Sequence, residues 1–309
     1  MNKKKSPQKR ATIISSSVAM VLVLIKVIVG LASGSVAVLA SAIDSILDMA
    51  VSLFNYFAIN KSEENPNDTY QYGKGKIQAI AAVIEGTIIT ISGLYIIYMA
   101  IEKFVNTSET SLLAPSIVAM LISLFLTYFL VQYLLKVAKE TESIVIKADA
   151  LHYQTDLWSN TAVLLALILI AVTGLDWIDA LFGLGIGLYI IYSAYAIIVE
   201  GIEILLDRAL DGDIVAEIGE IISKHPEVTS YHWLKTRTDG NTNFVEFHLV
   251  LHPNMFLIEA HRIADEIEDK VKRLEDKKQW VITPHLDPYD DEAINEAMLH
   301  DHTLLKEKE

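Results

Sequence analysis

Six long apolar runs alternate with short polar connections over the first two thirds of the chain. Each run reaches about 20 residues or more, the length that an α-helix needs to cross a bilayer. We therefore predict six membrane-spanning helices, at residues 11–32, 36–60, 77–104, 112–138, 144–173 and 177–205. The first run continues too far, without a clear small-residue cleavage site, to be a signal peptide that is removed.

The pattern changes after Asp207, where no further apolar run of spanning length occurs. Apolar positions at helical spacing predict helices at 213–224 and 258–274. Alternating positions predict two strands joined by the turn Thr238–Asn241, and a third, short strand ends before Pro284. The three predicted strands are 229–236, 243–252 and 280–283. This region therefore has the element order α-β-β-α-β.

The predicted fold is an all-α six-helix transmembrane domain followed by a cytoplasmic α+β domain. Four segments follow from the composition along the chain. They are a basic N-terminus at 1–10, the six-span domain at 11–206, the α-β-β-α-β domain at 207–290 and an acidic, charged tail at 291–309.

Basic residues are distributed unequally between the connections. Segments 1–10, 61–76 and 136–147 carry lysine or arginine, whereas segments 33–35, 105–111 and 174–176 carry neither. Because basic connections stay in the cytoplasm, this alternation places both termini there and requires an even number of spans.

Composition narrows the class of function. Hydrophobic residues make up 52% of the 309 residues, which fits a membrane protein. The net charge of −14 argues against nucleic acid as a partner and is compatible with handling cations. Without cysteine, any metal site must use nitrogen and oxygen ligands. No nucleotide-binding motif or nucleophile constellation occurs, so we expect a transporter and not an enzyme.

Two pairs of ionisable residues lie inside predicted spans. Asp44 and Asp48 are four residues apart in the second span, and His152 and Asp156 are four apart in the fifth. Residues at this spacing share one helix face. Because ionisable groups inside a bilayer are costly, they mark a functional site. Facing helices would bring three carboxylates and one imidazole to one point.

This ligand set predicts a divalent-cation site. Four nitrogen and oxygen ligands that include an imidazole suit tetrahedral Zn²⁺. A set made only of carboxylates would favour Mn²⁺ instead.

Three glycines and two further carboxylates inside the predicted spans also have predicted roles. Gly183, Gly185 and Gly187 are expected to let the sixth helix pack closely against a neighbour. Two further carboxylates lie within spans. Glu85 is expected to pair or to face water, and Asp149 to guide cations towards His152.

At these residues the chain resembles the cation diffusion facilitator family. The paired motifs Asp44-x-x-x-Asp48 and His152-x-x-x-Asp156 stand in the second and fifth spans, as they do in that family. The stretches 150–156, 180–187 and 206–210 are also similar, and the resemblance extends to about Tyr289.

The resemblance implies a proton-coupled antiporter that exports Zn²⁺, with Cd²⁺ and Fe²⁺ as further substrates, through the four paired residues. It implies a homodimer among lipids of a bacterial inner membrane, with a metallochaperone-like cytoplasmic domain. Proton coupling agrees with the chemistry, because imidazole and carboxylates must lose their protons to bind a metal ion.

The resemblance also implies a cytoplasmic two-zinc site that stabilises the dimer. Its ligands fall on His232 and His248 of adjacent strands, on His261 of the following helix, and on His285 and Asp287 after the last strand.

Two more family features fall on the connection 66–76 and its surroundings. The family has a metal site in this loop, but Gln71 and Lys74 stand where its histidines would be and only Asp68 remains. We therefore expect this loop site to be absent or severely weakened. The resemblance also implies a charge pair between Lys76 and Asp207.

Three alternatives remain at this point. The first is an exporter of Mn²⁺ or Fe²⁺ from the same family, which the altered loop favours. The second is a metal sensor whose membrane part is inert, although an anchor needs no buried carboxylates. The third is a channel, which would carry stacked rings of ligands along a pore.

Overall fold

A computed structural model describes residues 6–33, 36–105, 114–173 and 177–292. The chain divides into two compact units, Met1–Leu205 and Leu206–Glu309. The predicted tail residues 293–309 and the connections 34–35, 106–113 and 174–176 lie outside the described residues.

The first unit contains long helices at all six places where apolar runs predict spans. They are α1 (Pro7–Ser33), α2 (Val36–Ser62), α3 (Ile77–Val105), α4 (Ala114–Thr141), α5 (Ile144–Thr173) and α6 (Trp177–Leu205). Large apolar side chains cover the outer surface of the bundle, as on Phe54, Tyr95 and Tyr192. A bundle that is apolar on its outside is suited to lipid.

Four of these helices are long and apolar enough to cross a membrane, over Pro7–Val29, Ile77–Glu102, Leu121–Thr141 and Ala180–Leu205. α2 and α5, the helices that carry the ionisable pairs, are 27 and 30 residues long, and several of their side chains lie outside the described residues. The count of six spans therefore stays a prediction.

Glycine permits close packing between α3 and α6. A Cβ added to Gly187 would lie 2.5 Å from Ile97 Cγ1 and 3.0 Å from the Gly93 carbonyl oxygen. Gly183 is also close to α3, with 3.1 Å to Ala100 Cβ. A Cβ added to Gly185, in contrast, would meet none of the described residues within 4 Å. The prediction of close packing therefore fits Gly183 and Gly187 but is wrong for Gly185, which points away from α3.

The second unit has the predicted order α-β-β-α-β. Its elements are α7 (Gly212–Ser223), β1 (Ser230–Thr238), β2 (Thr242–Val250), α8 (Leu257–Val271) and β3 (Gln279–Asp287). The sheet order is β1-β2-β3, antiparallel between β1 and β2 and parallel between β2 and β3. Ile218, Ile263 and Ile267 of the helices pack with Phe247 and Leu249 of β2 in a buried core.

The third strand is longer than predicted. The sequence predicts that it ends before Pro284, but β3 continues through Pro284 to Asp287. Proline lacks the N–H group that a central strand needs, yet β3 is an edge strand and tolerates it. The extension keeps His285 and Asp287 in register with β2.

The glycines of α6 provide a test of the helix packing. We expect Gly187→Ala to lower the thermal unfolding midpoint of the detergent-solubilised protein, because overpacking a close contact costs about 1–3 kcal/mol. Gly185→Ala is the matched control in the same helix. It should leave the midpoint unchanged or raise it, since alanine favours a helix over glycine by roughly 0.5–1 kcal/mol. Equal midpoints for the two variants would contradict the described α3–α6 contact.

Candidate metal sites

The first candidate site lies between α2 and α5, inside the helical unit. Asp48, His152 and Asp156 each offer one ligand atom, and these atoms lie within 4.8 Å of one another. His152 Nε2 is 3.0 Å from Asp48 Oδ1. The side chains of His152 and Asp48 are 13% and 18% exposed, so the group is largely enclosed by helices.

Helix geometry explains this convergence. Four residues make slightly more than one turn, so Asp156 follows His152 on the same face of α5. Asp44 lies one turn before Asp48 on α2 by the same spacing, and its side chain lies outside the described residues. One imidazole and two carboxylates are three of the four ligands that a tetrahedral Zn²⁺ site requires, and Asp44 as the fourth ligand stays a prediction.

A second set of polar side chains extends the same helix faces. The Asn55 amide Nδ2 donates to Glu85 Oε2 at 2.9 Å and to Asp149 Oδ1 at 3.4 Å. Ser52 Oγ donates to Asp149 Oδ1 at 3.2 Å and lies 2.8 Å from the Tyr153 hydroxyl. All five side chains are at most 1% exposed. This Asn55 network therefore joins α2, α3 and α5 through buried side chains.

The Asn55 network holds two carboxylic groups that share one amide donor. Among the described residues, Glu85 Oε1, Asp149 Oδ2 and Asn55 Oδ1 have no hydrogen-bond partner. An ionised carboxylate in such a setting is costly, so the network can hold its two acids only with protons or a cation. Sequence reasoning identified Glu85 and Asp149 as unusual but missed Asn55. Its spacing of seven residues from Asp48 is the signal that places it on the same face.

The second candidate site lies on the sheet of the other unit. The strand register places His232 opposite His248 and His248 opposite His285, so three imidazoles stand in one row across the sheet. Their ring centroids are 4.8 Å and 4.6 Å apart along this row. Because His248 alternates with the core residues Phe247 and Leu249, the row lies on the face opposite to them.

Two carboxylates meet this histidine row. Asp287 Oδ2 lies 2.8 Å from His248 Nδ1, and Asp287 Oδ1 lies 3.2 Å from His285 Nε2. Asp291 Oδ1 lies 3.2 Å from His232 Nε2. His232, His248, Asp287 and Asp291 each offer an atom within 4.8 Å of the others, and we call these four residues the cytoplasmic group.

A β-bulge shapes this site on β1. The register shifts between His232 and Lys235, and Trp233 takes a φ of 53°, which is rare outside glycine. A bulge bends its strand and redirects side chains, and bulges are frequent next to functional sites. Here it directly follows the most buried imidazole of the row.

Two predicted ligands of this site, His285 and His261, are much more exposed than the others. His285 belongs to the row, but its side chain is 66% exposed and its Nε2 lies 3.2 Å from Asp287 Oδ1. His261 lies on α8 with 67% exposure, and its Nε2 is 3.7 Å from Asp265 Oδ2. The structure does not bring His261 to the cytoplasmic group, and its role as a ligand stays a prediction.

Sequence reasoning missed Asp290 and Asp291, which lie in an acidic stretch at the border between the predicted domain, 207–290, and the predicted tail, 291–309. The Ser230 hydroxyl donates to Asp290 Oδ2 at 2.9 Å. The Glu292 backbone N–H, followed by this hydroxyl, holds the pKa of the Asp290 carboxyl below its usual range. The segment after β3 is thus tied to β1.

The connection after α2 carries the residues of the loop metal site that the family resemblance implies. Asp68 is exposed and belongs to neither group of metal-ligating residues found in the described part of the chain. Lys74 forms an ion pair with Glu64 at 2.7 Å. Hydrogen bonds from Lys61 and then Lys74 lower the pKa of Glu64 to about 2. An ammonium group thus occupies the surroundings of the expected loop site, whose loss stays a prediction.

The predicted charge pair falls on residues of different units. Lys76 Nζ donates to the Leu205 carbonyl oxygen at 3.1 Å within the helical unit. Asp207 Oδ1 accepts from Arg237 Nη1 at 3.4 Å within the other unit. A pairing of Lys76 with Asp207 stays a prediction.

Each of the two units matches the model of a known protein family. Residues 12–206 match the family model described as the cation efflux transmembrane domain. Residues 210–289 match the model described as the cation efflux protein, cytoplasmic domain. Together with the four strongly apolar helices, these matches make the chain a multi-pass membrane protein with a cytoplasmic domain.

Characterised relatives cover nearly the whole chain. The cation-efflux pump FieF of Escherichia coli O1:K1 is 35% identical over 269 residues, which are 85% of this chain and 88% of the relative. FieF of Escherichia fergusonii is 36% identical over 266 residues, with the same two shares.

The Asn55 network yields a stability test. We expect Asn55→Leu to lower the thermal unfolding midpoint, because a buried carboxylate that loses its donor costs about 1–3 kcal/mol. Asn160→Leu is the control, since Asn160 is an exposed asparagine of α5 whose amide donates to the Asp156 carbonyl oxygen. The double variant Asn55→Leu/Glu85→Leu should lose less than the sum of its single changes. Strict additivity would show that the two side chains do not interact.

Proposed function

Because the chain belongs to the cation efflux family, whose members are transporters and not enzymes, we propose that it exports Zn²⁺ in exchange for protons. Cd²⁺ and Fe²⁺ are further substrates in this proposal. The transported ion binds Asp44, Asp48, His152 and Asp156 between α2 and α5.

One observation carries the proposal. Asp48, His152 and Asp156 come from two helices and offer three ligand atoms within 4.8 Å inside an apolar bundle. Unpaired ionisable groups are unfavourable in such a place, and a bound divalent cation removes the penalty. An inert membrane anchor would have no reason to retain them.

The imidazole supports zinc as the substrate. Zn²⁺ accepts nitrogen and oxygen ligands in a tetrahedral arrangement, whereas Mn²⁺ favours carboxylate and carbonyl oxygens. His152 contributes the single nitrogen ligand of the quartet. An exporter of Mn²⁺ or Fe²⁺ remains the alternative that the transport assay distinguishes.

Proton exchange follows from the same ligands. A carboxylate or imidazole must be deprotonated to bind a metal ion, so protons and the ion compete for one site. A proton gradient directed into the cell then releases the ion on the outer side and empties the site for the next cycle. The side chains of His152 and Asp48 keep 13% and 18% of their surface exposed, which supports access for protons and the metal ion.

The assembly in this proposal is a homodimer in the bacterial inner membrane, with both termini in the cytoplasm. The positions of the basic connections support the orientation. The cytoplasmic group binds Zn²⁺ through His232, His248 and Asp287, with His285 beside them, and this metal stabilises the domain. The orphaned ring nitrogens of the buried His232 fit such a role.

The intramembrane site is tested by uptake into proteoliposomes under an imposed pH gradient. We expect the unaltered chain to transport Zn²⁺ and Cd²⁺, and Asp48→Asn or His152→Ala to lower the rate at least tenfold, because each removes one ligand. The control is Asp276→Asn, which removes the same charge from an exposed residue of the second unit. This variant should transport normally.

Normal transport by either ligand variant would refute the quartet. Uptake of Mn²⁺ in preference to Zn²⁺ by the unaltered chain would favour the alternative substrate. Transport that ignores the pH gradient would refute proton exchange.

The role of the imidazole is tested separately by His152→Asp. Replacing the nitrogen ligand with a fourth carboxylate should shift the ratio of Zn²⁺ to Mn²⁺ uptake towards Mn²⁺. Both metals are measured on the same vesicles, so that a general loss of activity does not count as a change in selectivity. An unchanged ratio would show that His152 does not select the metal.

A further inference from the structure

Among the described residues of the second unit, His232 is a buried side chain with two polar atoms that lack a hydrogen bond. It is buried, with only 1% of its side chain exposed, yet neither ring nitrogen has a hydrogen-bond partner among the described residues. Burying a polar group without a partner costs roughly 1–3 kcal/mol, so an imidazole retained in this state points to a ligand.

The atoms around His232 are carboxylate oxygens at the spacing of metal ligands. Its Nε2 lies 3.2 Å from Asp291 Oδ1 and 3.7 Å from Asp287 Oδ2. Ligands bound at about 2.0–2.1 Å to a tetrahedral Zn²⁺ lie roughly 3.3–3.4 Å apart. Asp291 Oδ1 is itself a buried atom without a hydrogen-bond partner.

The path of the chain after β3 explains how Asp291 reaches this point. β3 is one edge of the sheet and β1 is the other. Asp287 ends β3, and three residues later Asp290 accepts a hydrogen bond from Ser230 at the start of β1. The segment therefore passes from one edge strand to the other, past the end of β2, and covers the side of His232 that the sheet leaves open.

We propose that Asp291 is the fourth ligand of the cytoplasmic metal site, so that a bound Zn²⁺ fastens the segment 288–291 from β3 onto β1. This inference rests on the metal binding proposed for the cytoplasmic group. It adds a ligand from outside the domain that the family model matches, which ends at residue 289.

The ligand has a structural consequence. With Asp291 in place, His232, His248, Asp287 and Asp291 complete a tetrahedral set within one chain. The exposed His285 is then outside the set and is available to a second ion. Metal binding then restrains the segment after β3 in addition to the hydrogen bond between Ser230 and Asp290.

The test measures zinc affinity of the full chain in detergent by competition with a chromophoric chelator. Asp48→Asn and His152→Ala are present in every sample to remove the intramembrane ligands. We expect Asp291→Asn to weaken zinc binding at least tenfold. Glu292→Gln, an exposed neighbour with the same change of charge, is the control and should bind as tightly as the parent. Asp291→Glu keeps the carboxylate and should bind better than Asp291→Asn.

Hydrogen–deuterium exchange of the backbone amides at 286–292 provides the second measurement. Zinc should slow this exchange in the parent and in Glu292→Gln but not in Asp291→Asn. Equal affinities for Asp291→Asn and Glu292→Gln, with equal slowing by zinc, would overturn the role of Asp291. A parent that binds no zinc would overturn the cytoplasmic site as a whole, and with it this inference. The proteoliposome assay judges the transport proposal separately.

Discussion

The free-energy cost of burying a polar group without a hydrogen-bond partner explains where the polar side chains lie in both units. In the helical unit, the ionisable side chains lie on one face of α2 and one face of α5, where they contact one another. His152 and Asp48 lie within contact distance there, and Asn55 joins two carboxylates a short way along the same faces. In the sheet unit the same cost falls on His232, whose ring nitrogens face carboxylate oxygens. Each unit gathers its costly groups at one place.

The helical unit and the sheet unit bring their ionisable side chains together in different ways. In the helical unit the period of the helix aligns residues four apart, so a short motif is enough. In the sheet unit the register aligns His232, His248 and His285, which are distant in sequence. That alignment depends on β3 continuing through Pro284, which only an edge strand permits. A bulge at Trp233 completes the arrangement on the other edge.

Much of this could be predicted from the sequence, because long apolar runs and strict alternation are local signals. Spacing alone predicted that each ionisable pair shares one face of its helix, and the structure adds that these faces of α2 and α5 meet at Asp48 and His152. The length of β3 did not, because tolerance of Pro284 depends on which strand lies at the edge of the sheet. The partners of Asn55 depend on how neighbouring helices are rotated about their axes, and no local pattern records that. Asp291 was missed because its acidic surroundings resemble a solvated tail.

The ionisable side chains inside α2 and α5 have a consequence for how the protein is made. A charged or strongly polar side chain opposes the entry of a helix into lipid, and Asp48, His152 and Asp156 lie in the interior of these two helices. Neighbouring helices can shield such polar faces, and α1 packs beside α2 while α4 and α6 pack beside α5. We therefore expect insertion of α2 and α5 to depend on the helices around them, so that the two helices with the candidate metal ligands are also those most dependent on correct assembly.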